Sequence, residues 1–173
     1  HKQEKSTLSS QAPTSSGVLF AKLMKQGIIY ESGARFKSKL FLKKAKASIH
    51  IAEQAAPVEP FYWDSWAITM AYYAMLYAAK AAILEKGYEV KTHDAAEVAI
   101  EYLLVPDVLE KDDLELLNQA HKIFEEEYVT YFHNAKKEAH YARYHARPSY
   151  TERRKKEILN NAQAFIEKIL YIL

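Results

Sequence analysis

The densest group of chemically capable side chains lies between residues 140 and 156. It contains arginines, tyrosines, histidines and lysines, and we take as binding candidates His140, Arg143, Tyr144, Arg147, Tyr150, Arg153 and Arg154. Arginine offers a planar fork of N–H donors that matches a phosphate group, and tyrosine offers a flat face on which a base can stack. The pattern predicts recognition of nucleotide or RNA phosphates. The alternative is a solvated helix end whose cations face the C-terminus of the preceding helix.

Two histidines in this group also have the chemistry for acid–base catalysis. Imidazole titrates near neutral pH, and metal-free RNA cleavage needs proton transfer to and from the 2′-hydroxyl and the leaving oxygen. Arg143 and His145 are therefore the catalytic candidates, with His140 as a second imidazole. Two copies of the pair could meet across a two-fold axis. The alternative is that seven histidines in one chain, several beside aromatic residues, need no catalytic explanation.

The other histidines are interpreted as structural. His93 and Asp94 stand at a predicted helix start, where we expect capping and a buried hydrogen bond. His121 falls on an apolar seam and is expected to be a satisfied core residue. His133 and His140 share a helix face without a carboxylate in register, so no metal site is predicted. No glycine-rich phosphate loop is present and no cofactor is expected.

Length and composition favour a single domain. The chain has 173 residues, no cysteine, four glycines and a net charge of +2. Residues 1–17 are predicted to be a flexible polar segment and residues 18–173 one helical domain. The missing cysteines exclude disulfides and agree with a cytoplasmic location. The small net charge means that nucleic-acid binding would need a local basic patch.

Apolar spacings of three and four residues predict about five helices. A short first helix is expected over Val18 to Ile29, and an amphipathic helix follows until Pro57. The next helix is predicted from Phe61 to Lys86, with Gly87 as its C-cap. Its stretch from Trp66 to Leu84 has the length of a membrane span, but Lys80 and its tyrosines favour the centre of a bundle or a dimer seam, so no membrane association is expected.

The remaining helices are predicted from their caps. Thr92 should cap a helix that stops at Pro106, and Asp112 or Asp113 the helix after it. Ser149 and Glu152 are expected to form a capping box at the start of the last helix. The fold class predicted is therefore all-α, an up-and-down bundle of about five helices.

Several blocks resemble prokaryotic HEPN-domain proteins. They are the run AYYAMLYAAK followed by LEKGYEVKTHD, at the helix predicted from Phe61, the run FLKKAKASIHIA in the amphipathic helix before it, and the ending Ala142–Arg143 with the last helix. The resemblance covers roughly residues 35 to 170. It implies a four- or five-helix bundle that usually forms a homodimer, with an arginine at the end of the fourth helix.

The family resemblance implies two functional groups. Some members are metal-independent ribonucleases with Arg, four to six residues and then His; others bind nucleotides or RNA, or are partners of a small nucleotidyltransferase. Here the positions that follow Arg143 at this spacing are Pro148, Ser149 and Tyr150, and none is histidine. In another common family pattern, Arg is followed by Ala-Asp-Tyr, whereas here Ala146 precedes Arg147 and Pro148.

We therefore expect a non-catalytic or weakly catalytic domain that binds nucleotide or RNA phosphates, and that can partner a nucleotidyltransferase in a toxin–antitoxin-like system. One alternative is a metal-independent endoribonuclease with a displaced catalytic histidine. Another is a helical module that acts only through protein interactions.

Overall fold

The fold was obtained as a computed structural model, which describes residues 15–59, 65–137 and 148–173, with side chains described for all of these except 127–137 and 148–151. Six helices and two short strands make up this part of the chain. They are α1 (Ser15–Lys25), β1 (Ile29–Glu31), α2 (Phe36–Ala55), α3 (Trp66–Glu85), β2 (Tyr88–Val90), α4 (His93–Leu104), α5 (Lys111–Lys137) and α6 (Pro148–Ile172). The predicted all-α bundle is confirmed.

Helix α3 lies at the centre of the bundle. It packs against α2, α4, α5 and α6. Most of its side chains are buried, including Tyr72, Met75 and Ile83. Within the described residues it is the one helix long and apolar enough to span a membrane, yet 72% of that stretch is buried inside the protein. A helix that is apolar on all sides suits the centre of a bundle in this way.

The predicted caps of α3 and α4 are confirmed. Gly87 follows α3 with a φ of +89°, a left-handed conformation that glycine adopts without a Cβ clash. The Thr92 hydroxyl accepts a hydrogen bond from the Ala95 N–H at 3.1 Å and begins α4. At the other end of α3, the Ser65 hydroxyl accepts from the Ile68 N–H at 3.2 Å. The predicted start of α3 at Phe61 is wrong, because Ser65 is extended and the helix begins at Trp66.

The first predicted helix is wrong at its C-terminal end. Helix α1 ends at Lys25, and Gly27 adopts a φ of +69° that breaks the helical path. The chain then enters β1, which pairs antiparallel with β2 so that Ile29 faces Val90. Helix α1 also begins at Ser15, inside the segment predicted to be flexible; residues 1–14 of that segment lie outside the described part.

The starts of α5 and α6 differ from their predicted caps. Helix α5 begins at Lys111, and the Asp113 carboxylate accepts from the Glu110 N–H at 2.8 Å. Helix α6 begins at Pro148, which suits the first turn because proline lacks an N–H that would stay unpaired there. The Ser149–Glu152 capping box is therefore wrong: Ser149 is already helical, and the Glu152 carboxylate contacts Lys155 Nζ at 2.9 Å.

Helices α5 and α6 run antiparallel along one another. An ion pair joins Asp113, in the first turn of α5, to Lys168, near the end of α6, at 3.8 Å. A second ion pair joins Glu126 of α5 to Arg154 near the start of α6. Helix α5 ends at Lys137 and α6 starts at Pro148. Residues 138–147, which connect these two ends, lie outside the described residues.

Candidate functional site

Most of the predicted binding residues fall between α5 and α6. Outside the described residues are His140, Arg143, Tyr144, His145 and Arg147. Tyr150 belongs to the first turn of α6, but its side chain is also outside the described part. The side chains of Arg153 and Arg154 are among the described residues, so their contacts can be compared with the predicted phosphate binding.

Arg154 has a structural partner. Its guanidinium group forms an ion pair with the Glu126 carboxylate of α5, and its side chain is only 12% exposed. Arg153, one position earlier, is exposed. The Arg154 pair ties the start of α6 to α5, while phosphate binding by Arg153 or Arg154 stays a prediction.

Lys155 is a buried structural residue, although its sequence context suggests a surface cation. Its Nζ lies 2.9 Å from Glu59 Oε1 and 2.9 Å from Glu152 Oε1, and it donates to the Ala56 carbonyl at 3.3 Å. Burial lowers the pKa of this ammonium group, but the hydrogen bonds to Glu152 and Glu59 outweigh burial and raise the pKa above its usual value. The positive charge of Lys155 therefore pairs with carboxylates of the protein itself.

A second group of titratable residues lies where α3, α4 and α5 meet. We call Asp94, Glu97, His121 and Glu125 the histidine–carboxylate cluster. His121 Nδ1 lies 2.7 Å from Glu97 Oε1, and its Nε2 lies 3.1 Å from Glu125 Oε1. The His121 side chain is 11% exposed. The prediction that His121 is a satisfied core histidine is confirmed.

Aromatic rings hold the His121 imidazole in place. Tyr72 stacks on it with 5.4 Å between ring centroids and an interplanar angle of 15°. Tyr72 also stacks on Phe124 at 4.7 Å. His93, at the start of α4, contacts His121 edge-to-face at 5.8 Å. The cluster therefore rests against a rigid aromatic layer on one side, while Asp94 is exposed on the other.

Burial dominates the electrostatics of this cluster. It raises the pKa of the Glu97 carboxyl, and the attraction to His121 offsets only part of this shift. Burial, together with the neighbouring His121 and Lys80, lowers the pKa of His93. Burial and the Glu97 charge raise the pKa of Tyr72, which keeps its phenol neutral. The low-dielectric surroundings thus disfavour charge on each of these three groups.

The contacts of His121 set a proton requirement. A carboxylate only accepts hydrogen bonds, and a neutral imidazole carries a single N–H. With carboxylates near both ring nitrogens, both contacts are attractive when the ring is doubly protonated, when one carboxyl group is protonated, or when a cation binds to both the ring and a carboxylate. The three ligand-type atoms of Asp94, Glu97 and His121 lie within 4.8 Å of one another. The arrangement is suited to holding a proton or a cation.

A comparison with protein-family models decides the family. The model of the HEPN domain matches residues 38–172, a range that runs from the start of α2 to the end of α6. The chain belongs to the HEPN-domain family. A search of curated proteins and a search of solved structures find no match.

The HEPN match includes both features described above. Arg143 and the rest of the basic stretch lie within the matched range, and so does the histidine–carboxylate cluster. Membership of the HEPN family agrees with the helical bundle. In this chain, however, no histidine follows Arg143 after four to six residues. Membership alone leaves nuclease, binding and interaction functions open.

Sequence reasoning had partial signals for the cluster. His121 and Glu125 are four residues apart, and Asp94 and Glu97 are three apart, so each pair shares a helix face. The contact between Glu97 and His121 joins two helices across 24 residues, and helix periodicity alone does not specify which faces meet. The contact between Lys155 and Glu59 joins residues that are still farther apart in the sequence, and no local pattern predicts it.

Proposed function

We propose that this HEPN domain binds the phosphates of a nucleotide or RNA through Arg143, Arg147 and their basic neighbours, without strong catalysis. The supporting observation is the charge distribution. Residues 136–156 contain eight lysines and arginines against two glutamates, while the whole chain has a net charge of only +2. The rest of the chain is therefore net acidic, and the positive charge of residues 136–156 favours an anionic ligand there. We call residues 136–156 the basic segment.

The described part of the basic segment divides its cations into two kinds. Lys155 is buried beside two glutamates and Arg154 is paired with Glu126. Lys156 is exposed on the same helix. Buried pairs stabilise the position of the helix start, and exposed cations contribute to long-range attraction of anions. The two paired cations fix the start of α6 against its neighbours, and this supports a phosphate site near that helix end.

The experiment is fluorescence anisotropy with a labelled single-stranded RNA and with a labelled nucleotide. The Arg143→Ala/Arg147→Ala variant should bind at least about tenfold more weakly, because each charge-assisted hydrogen bond to phosphate is worth about 1.5–3 kcal/mol. The matched control is Lys43→Ala/Lys46→Ala, which removes the same charge from two exposed positions on α2. Equal affinities for the native protein and the arginine variant would refute the proposal.

We also propose that the domain forms a homodimer. The observation that favours it is a set of exposed apolar side chains on α2: Phe36 is 72% exposed, Leu40 58% and Ile51 50%. Spacings of 4 and 11 residues place them on one face of the helix. Contiguous exposed apolar patches mark protein-interaction sites, and Phe36 and Leu40 are neighbours one turn apart on this face.

Light scattering of the native protein and of a Phe36→Ser/Leu40→Ser variant tests the homodimer. A native dimer that the variant converts to a monomer supports it. A native monomer over the micromolar range contradicts it, and the same surface is then the position at which to test a nucleotidyltransferase partner by co-purification.

A further inference from the structure

We propose that Asp94, Glu97 and His121 bind a first-row divalent metal ion such as Zn²⁺ or Mn²⁺. The three residues offer two carboxylate oxygens from α4 and one imidazole nitrogen from α5, all within 4.8 Å of one another. Imidazole and carboxylate together suit these ions. None of the three residues belongs to the basic segment, so this inference does not depend on phosphate binding.

The spacing of the ligand atoms fits a metal ion. His121 Nδ1 and Glu97 Oε1 are 2.7 Å apart. Neighbouring ligands of an octahedral ion with bonds of 2.0–2.1 Å are separated by about 3 Å, and opposite ligands by about 4 Å. Asp94 completes the set within 4.8 Å, and its side chain is exposed. The two more buried ligands are therefore already close to the required positions.

The surroundings of His121 resemble the second layer of residues found around bound metals. A histidine that binds a metal through one nitrogen commonly donates its other N–H to a carboxylate, which fixes the tautomer and the ring orientation. The Glu125 carboxylate, with Oε1 3.1 Å from His121 Nε2, would take this role. With the hydrogen on Nε2, Nδ1 and the Glu97 carboxylate repel each other, and a cation bound by both atoms removes the repulsion. Tyr72, stacked on the ring, opposes its rotation.

The charge balance also favours a divalent cation. Asp94, Glu97 and Glu125 supply three carboxylates, and Lys80 is the ammonium group that acts on the adjacent His93. Glu97 is half-buried, and a bound cation compensates a buried carboxylate. The positive end of the α4 dipole opposes the cation, because Asp94 lies in the first turn of α4. We therefore expect micromolar rather than nanomolar affinity.

Calorimetric titration of the purified protein with Zn²⁺ and Mn²⁺ alone tests the proposal. The native protein should bind one ion with a micromolar Kd. His121→Gln and Asp94→Asn should each weaken binding at least about tenfold, and Glu125→Gln should weaken it about 10–100-fold through loss of the supporting carboxylate. Asp94→Asn changes an exposed residue, so it keeps the test valid if His121→Gln does not fold.

Matched controls separate this site from other histidines and carboxylates. His50→Gln and Glu101→Gln alter exposed residues on α2 and α4, and both should bind as the native protein does. The proposal is overturned if the native protein binds neither ion below millimolar concentration, or if Asp94→Asn and Glu125→Gln leave the affinity unchanged. It is also overturned if the two control variants weaken binding as strongly as Asp94→Asn.

Discussion

Lys155 Nζ lies 2.9 Å from Glu59 Oε1, and the two side chains are only 3% and 5% exposed. The same carboxylate accepts a hydrogen bond from the Ser65 hydroxyl at 2.6 Å and from the Ala67 N–H at 3.2 Å. This buried ion pair therefore connects the end of the α2 region, the N-terminus of α3 and the start of α6. It holds the helix on which the basic segment ends.

Replacing Lys155 should destabilise the fold strongly. Lys155→Met leaves the Glu59 carboxylate buried without its cation, and breaking a buried pair in this way costs about 3–5 kcal/mol. The measurement is the free energy of unfolding in urea. Lys156→Met, at the exposed neighbouring position, is the control and should change that free energy by less than about 0.5 kcal/mol. Equal effects of both variants would show that the buried pair contributes little.

The same ion pair predicts a pH dependence. Because the pKa of Lys155 is raised in the folded state, its contribution is fully present below the ordinary lysine pKa of 10.5 and is lost as the pH rises through the folded pKa. The difference in free energy of unfolding between the native protein and Lys155→Met should be constant from pH 7 to 9 and should shrink above pH 10.5. A difference that grows with alkaline pH would contradict this sign.

Gly87 should be far less tolerant of substitution than Gly33. Gly87→Ala requires alanine to adopt a backbone φ of +89°, which residues with a Cβ rarely adopt, although no atom lies within 4 Å of the added Cβ. The expected destabilisation is about 1–2 kcal/mol from the backbone alone. Gly33→Ala also meets no atom, and its φ is outside the left-handed region, so it should be neutral or slightly stabilising. Thermal unfolding of both variants checks the contrast, which fails if their midpoints shift equally.

Local signals account for what could be predicted of the fold. Thr92 and Gly87 mark helix ends through their own side-chain and backbone chemistry, so their positions were readable from sequence. The strand pair was missed because each strand has three residues and is stabilised by pairing such as Ile29 with Val90, across 61 positions. Pairing at that distance leaves no periodic pattern.

For the candidate sites, the sequence indicates which residues could take part. It does not indicate which residues contact one another. The arginine-rich segment and the seam histidine His121 were evident from spacing. Lys155 resembles a surface cation in the sequence because adjacent charges in a helix look alike, and its burial depends on Glu59, 96 positions earlier. The contact between Glu97 and His121 depends likewise on how α4 and α5 pack.

The most direct test of phosphate binding by the basic segment is the salt dependence of RNA affinity. Each phosphate contact with single-stranded RNA contributes about −0.7 to the slope of log K against log salt. The native protein should show a steep negative slope, and Arg143→Ala/Arg147→Ala should be less steep by about 1.4, while Lys43→Ala/Lys46→Ala keeps the native slope. A native protein whose RNA affinity does not change with salt, or an arginine variant with the native slope, would contradict the account.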